Sequence, residues 1–157
     1  MKTILILDLD GVLITTPSWK ADEMDFDNYS KFCSTCINNL NNLLLSFEFD
    51  IWLISTRRTV KTLKEFNEIF KNRKIIQEII GFVPQQNEIN NRKEEVLHFI
   101  EKINPKNYII IDDDKTLNGL NKNMKSNLVL TELMKGFNTE KLNEAKRIME
   151  QKVHNKV

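Results

Sequence analysis

Three apolar runs in this 157-residue chain each stop abruptly against polar residues. KTILIL runs into Asp8-Leu9-Asp10-Gly11, FDIWLI into Ser55-Thr56-Arg57-Arg58, and NYIII into Asp112-Asp113-Asp114. An apolar run that is continuous and not alternating marks a strand covered on both faces. Such strands need helices above and below, and the segments between them carry helical spacing. Phe32, Cys36, Leu40, Leu43 and Leu44 predict a helix from Tyr29 to about Phe47, although its several Asn lower the propensity. Leu63, Phe66, Ile69 and Phe70 line one side of a helix from Thr59 to about Lys71. A third helix spans 91–102, with Val96, Phe99, Ile100 and Ile103 inward, and a last one runs from about Thr139 to Gln151. NLVLTE adds a fourth strand, 12–27 reads as an irregular loop or small flap, and IIQEIIGFV is a short apolar piece of no assigned type. The alternation predicts an α/β fold: a three-layer α/β/α sandwich around a mostly parallel, Rossmann-like sheet with minimal or no cap.

The mass of 18.5 kDa suits one domain over 1–157, enough to bury roughly two-thirds of the surface its unfolded chain would expose. A formal charge of +1 points to no class of partner. Only Arg57 to Lys74 is locally basic, with seven Lys or Arg against two Glu, a run that would suit a phosphate backbone. The opening apolar run is too short for a secretion signal, and no run approaches the roughly 18 apolar residues of a membrane span. The expectation is a cytoplasmic protein without a membrane partner, acting as a monomer or weak homodimer. Cys33 and Cys36 form a lone CxxC, too few ligands for zinc, and are expected as buried or half-buried thiols on a helix. His98 and His154 are expected to be structural or solvent-facing.

In a parallel sheet the ligand site lies beyond the carboxyl ends of the strands, which is where the polar residues gather. Carboxylates converging from two strand ends repel one another, and burying them without a counter-charge costs several kcal/mol. A divalent cation resolves that conflict, and an all-oxygen set of this kind suits Mg²⁺ with room for a phosphate oxygen. A Ser or Thr hydroxyl and a Lys or Arg from neighbouring strand ends supply donors and positive charge for the other phosphate oxygens. This is a constellation for phosphoryl transfer.

DLDGVL resembles the first motif of the haloacid dehalogenase superfamily, an apolar strand followed by DxDG(T/V). The remaining motifs follow in the family's order: IWLIS at Ser55, with Thr56 as a register alternative; Arg92 or Lys93 opening a helix; and YIIIDDD. More narrowly, RKEEVLHFI, YIIIDDD and LVLTELMKGFNTEKLNEA are similar to the small haloacid dehalogenase domains found in some RNA-repair proteins. The resemblance covers nearly the whole chain and implies a Mg²⁺-dependent phosphatase working through an aspartyl-phosphate. By it, Asp8 would be the nucleophile. Asp10 would be the general acid and base, and its carbonyl a metal ligand. Gly11 would permit the backbone to turn there. Ser55 or Thr56 would bind the phosphoryl oxygens, Arg92 or Lys93 would offset charge, and two of Asp112, Asp113 and Asp114, with Asp112 and Asp113 first, would join Asp8 on the metal. Arg57, placed two residues after the hydroxyl as in some members, would reach substrate or phosphate, or else sit in solvent.

Three rivals compete. A phosphate-receiving signalling domain needs its acceptor Asp after the central strand, where this chain has Ser and Thr. A dehalogenase has no need of Asp10. A non-catalytic binding module on the same fold has no reason to keep repelling carboxylates. The segments 12–28 and 59–90 are too short for a large cap, so the site is expected to be open to a phosphorylated small molecule or a nucleic-acid end.

Overall fold

A computed structural model describes residues 2–85 and 91–154. Five strands form one parallel sheet in the order β3-β2-β1-β4-β5: β1 Thr3–Leu7, β2 Phe49–Leu53, β3 Ile79–Phe82, β4 Tyr108–Asp112 and β5 Leu128–Leu130. The helices are α1 Ser34–Ser46, α2 Leu63–Asn72, α3 Arg92–Ile103, the short α4 Lys122–Lys125, and α5 Thr139–His154. Side chains alternate across each strand, so the continuous apolar runs feed two cores. Leu5, Leu7, Ile51, Leu53, Ile109 and Ile111 pack with α1, α2 and α5 on one face. Ile6, Ile110 and Leu128 pack with Val96 and Phe99 of α3 and Met124 of α4 on the other. The three-layer architecture expected from the sequence is therefore present, and the untyped IIQEIIGFV piece supplies the edge strand β3.

Several boundaries differ from the sequence expectation. The first helix begins at Ser34, not Tyr29, because Tyr29 and Phe32 belong to a loop in which Met24 bridges Ser30. Half-buried Tyr29 and buried Phe32 pack edge-on against one another and against α2, Tyr29 on Phe66 and Phe32 on Phe70, so their apolar spacing reports packing without helix. Cys33 consequently sits at the helix start, half-buried, and Cys36 within it, buried. The helix expected from Thr59 divides into a 3₁₀ turn, Thr56–Thr59, and α2. The break falls where Thr62 and Glu65 form a capping box: the Thr62 hydroxyl accepts from the Glu65 N–H and the Glu65 carboxylate from the Thr62 N–H. Ile103 is exposed and not inward, since left-handed Asn104 ends α3 at that point.

The register aligns the strand ends. Leu7 pairs with Leu53 and with Ile111, which brings the carboxyl ends of β1, β2 and β4 to one level. Between β2 and α3 the chain forms α2 and β3, and no separate covering domain occurs among the described residues. No helix among them is long and apolar enough to cross a membrane.

Candidate active site

The chain leaves β1 through a tight turn. The Leu9 carbonyl accepts the N–H groups of Val12, Leu13 and Ile14, and the Gly11 N–H donates to the Ile14 carbonyl. Gly11 has φ +79°, and a Cβ there would lie 2.2 Å from Oδ2 of Asp113. Only glycine meets both demands, backbone and space. From the end of β5, buried Thr131 donates its hydroxyl to the Gly11 carbonyl at 2.6 Å and fixes the turn from the far side.

This turn aims Asp8 and Asp10 in different directions. Asp8 is 4% exposed, and its Oδ1 accepts the Leu9 N–H at 2.8 Å. It converges with Asp112, which is fully buried, and half-buried Asp113, with one carboxylate oxygen of each within 4.8 Å of the others. Asp114 stands outside this trio. Its carboxylate accepts from the N–H and hydroxyl of Thr116 and starts the 3₁₀ turn Lys115–Gly119. Asp10 also stands outside the trio by its side chain, which Arg57 grips through two hydrogen bonds of 2.8 and 2.9 Å.

The two adjacent basic residues that open α3 part company. Arg92, 6% exposed, places Nη1 2.5 Å from Oδ2 of Asp112 and 3.5 Å from Oδ2 of Asp8. Lys93 turns its side chain over Gly119. The two hydroxyls after β2 part likewise. Ser55 is fully buried, and its Oγ accepts the Arg57 N–H at 3.1 Å, while Thr56 faces solvent.

Arg57 reaches Asp10, Asp22, Ser30 and Tyr29. Its charge is drawn inward, with Asp10 the leading influence raising its pKa. The Ser30 hydroxyl and then Arg57 hold Asp22 below the usual carboxylate range. Arg57 is half-buried, and Arg58 and Arg73 are buried, on Glu95 and on Asp27. The basic run from Arg57 to Lys74 thus loses its three arginines to internal partners and forms no continuous cationic stripe.

Charge is the unresolved feature of the trio. Burial first, and the neighbouring Asp112 second, raise Asp8 well above the usual carboxylate range, although Arg92 pulls it back. The same two causes push Asp113 up to about 6. Among the described residues, Asp8, Asp112, Asp113 and nearby Glu95 pair with Arg92 and Arg58, which leaves two negative charges in excess when all are ionised. An oxygen-only cluster with that excess fits a hard divalent cation, whose charge would offset it.

Sequence reasoning placed Arg58 at a strand end without giving it a role, and it missed Glu95, Asp22 and Thr131. Glu95 had a signal: it lies three residues from Arg92 on the α3 face that also carries Val96 and Phe99, and a charged pair on an inward helical face is a site or an ion pair. Asp22 and Thr131 meet the site only through tertiary contacts and had none.

Comparison with known proteins gives one family. The family model described as "HAD domain in Swiss Army Knife RNA repair proteins" matches residues 4–142, from β1 into the first turn of α5. No curated protein matches the chain.

Proposed function

The chain belongs to the family of HAD domains found in Swiss Army Knife RNA repair proteins, and on that footing we propose that it is a Mg²⁺-dependent phosphomonoester hydrolase working through an aspartyl-phosphate. The observation that carries this reading is the carboxylate trio of Asp8, Asp112 and Asp113 with Arg92 against it, at the level where three strands end. Asp8, Asp112, Asp113 and the Asp10 carbonyl would hold the cation, which supplies charge neutralisation between the Asp8 carboxylate and an incoming phosphate.

The chain's own groups divide the work. Asp8 attacks phosphorus, and the bond to the leaving oxygen breaks as that to the carboxylate forms. Arg92 offsets the charge that gathers between Asp8 and the phosphoryl group. The Ser55 hydroxyl accepts from Arg57 N–H and so keeps its own proton for a phosphoryl oxygen. Asp10, with a side chain 40% exposed at the rim, gives a proton to the leaving oxygen and later takes one from the water that hydrolyses the acyl phosphate. Arg57 orients Asp10.

The site opens outward without a covering domain among the described residues, and a nucleic-acid end or a small phosphorylated molecule would be admitted. With Arg57, Arg58 and Arg73 turned inward, a nucleic-acid substrate would be held near its terminal phosphate and not along an extended basic track.

The test is phosphate release from para-nitrophenyl phosphate and from 3′- and 5′-phosphorylated oligonucleotides, with Mg²⁺ or EDTA, for the wild type and Asp8→Asn. Release that needs the metal and is lost in Asp8→Asn is expected. No release from any substrate, with Mg²⁺ leaving the melting temperature unchanged, would sink the reading in favour of a binding module.

A further inference from the structure

Behind Arg92 lies a second buried ion pair that the phosphoryl-transfer steps leave unused. Oε1 of Glu95 stands 3.6 Å from Nε of Arg92, and Oε2 receives Nη2 of Arg58. Arg58 is 6% exposed. Its Nε donates to the Val83 carbonyl at 2.8 Å, and its Nη1 donates to the carbonyls of Ile54 and of Ser55, the latter at 2.8 Å. One guanidinium therefore gathers the ends of β2 and β3 and a side chain of α3.

A buried ion pair is a poor device for stability alone, because desolvation consumes most of its attraction. Its geometric effect is clearer. Arg92 has two edges, with Nη1 on Asp112 and Asp8 and Nε towards Glu95. Were Glu95 neutral, the carboxylates left acting on that guanidinium among the described residues would be those of the site, and a phosphate would have to win it from them. With Glu95 in place, the Nε edge faces a carboxylate 3.6 Å behind it, and the Nη1 edge meets Asp112 and Asp8 at the strand ends. The fork of Arg58 keeps Glu95 in place in turn, and it binds the Ser55 carbonyl as well, so the groups expected to face phosphate share one anchor. We propose that Glu95, anchored by Arg58, is a positioning residue that sets the guanidinium of Arg92 for phosphoryl transfer; this rests on the phosphatase reading.

Only an arginine at position 92 can be oriented in this way, since a lysine has no second donor edge. That difference supplies the test. Glu95→Gln, Arg92→Lys and the double variant are compared with the wild type for kcat and KM on para-nitrophenyl phosphate with Mg²⁺, with melting temperatures measured alongside. Glu95→Gln is expected to lower kcat/KM about 10- to 100-fold in the arginine background, the usual range for an outer-shell partner. In the lysine background it should cost less than about threefold, because coupling appears only where one residue acts through the other. An equal loss in both backgrounds would mean that Glu95 serves the fold and would overturn the proposal. A second readout needs no activity: the Nε–H proton of Arg92, followed by ¹⁵N NMR in the full-length wild type. Because Arg92 is buried in any case, the comparison is with Glu95→Gln: faster exchange or a shifted Nε resonance in that variant supports the brace, and an unchanged rate and shift refute it. If the wild type hydrolyses nothing, the phosphatase reading fails by itself, and this second readout decides the brace.

Discussion

At the scale of single residues, the site depends on which of two chemically similar neighbours faces it. Arg92 and Lys93 are interchangeable in a motif, but successive helical positions are rotated by roughly 100°. That rotation sends Arg92 to Asp112 and Asp8 and leaves Lys93 over Gly119. Arg92→Ala is therefore expected to lower kcat/KM on para-nitrophenyl phosphate by at least about 100-fold, the loss typical of a buried group that stabilises transition-state charge. Lys93→Ala should stay within about twofold. Steady-state kinetics on both proteins checks this, and comparable losses would mean that the phosphate is served from the other face of α3. The same logic sorts the three aspartates. Asp112 and Asp113 turn to Asp8, whereas Asp114 spends its carboxylate on Thr116. The acids were legible in the sequence because a buried apolar strand that ends in several carboxylates is costly unless something binds them. Their division of labour was not, because it depends on backbone direction over one residue.

At the scale of elements, legibility followed the reach of the contacts. β1 and β4 could be read directly, since burial on both faces leaves an uninterrupted apolar run, and β2 nearly so, its run broken by half-buried Asp50. The entry to α1 and the break before α2 could not. Tyr29 and Phe32 are held by rings of α2 well over thirty residues away, and nothing local separates that from a helical face. Nor could the basic run be read as buried, because its arginines answer carboxylates distant in sequence. Arg73 is the clearest case. Its side chain is 2% exposed and pairs with Asp27 at 2.6 Å, and it donates to the carbonyls of Tyr29 and Ser30. It ties the end of α2 to the loop that carries Asp22. Arg73→Met would strand Asp27 and both carbonyls and is expected to cost about 3 kcal/mol, the lower range for breaking a buried pair. Urea denaturation measures the cost directly. A loss below about 1 kcal/mol would show that this loop is held by its aromatic contacts instead.

At the scale of the whole molecule, the strand-end acids set the site against the fold. Burial and Asp112 hold Asp113 at about 6, against an ordinary value of 3.8, and raise Asp8 in the same direction. Well below pH 3.8 these groups are protonated in folded and unfolded chains alike and carry no penalty. As pH climbs from 4 through 6, the unfolded chain releases protons that the folded chain retains, so the metal-free fold loses stability across that window. Asp27 and Asp22 lie below the usual carboxylate range, held by Arg73 and by Ser30 with Arg57, and their contribution is lost only on stronger acidification. The two effects separate in one variant. In EDTA at about pH 7.5, Asp113→Asn should melt above the wild type, because a repelling charge has gone, and the gap should close as the pH falls towards 4. Added Mg²⁺ should reverse the order at the higher pH, since a ligand that binds the native state raises its stability by mass action and the variant has lost a ligand. Thermal melts at the two pH values, with and without the metal, give all four comparisons. If Asp113→Asn melts below the wild type in EDTA, or if Mg²⁺ raises both proteins equally, the trio is an ordinary polar cluster and the fold carries no charge deficit for a cation to fill.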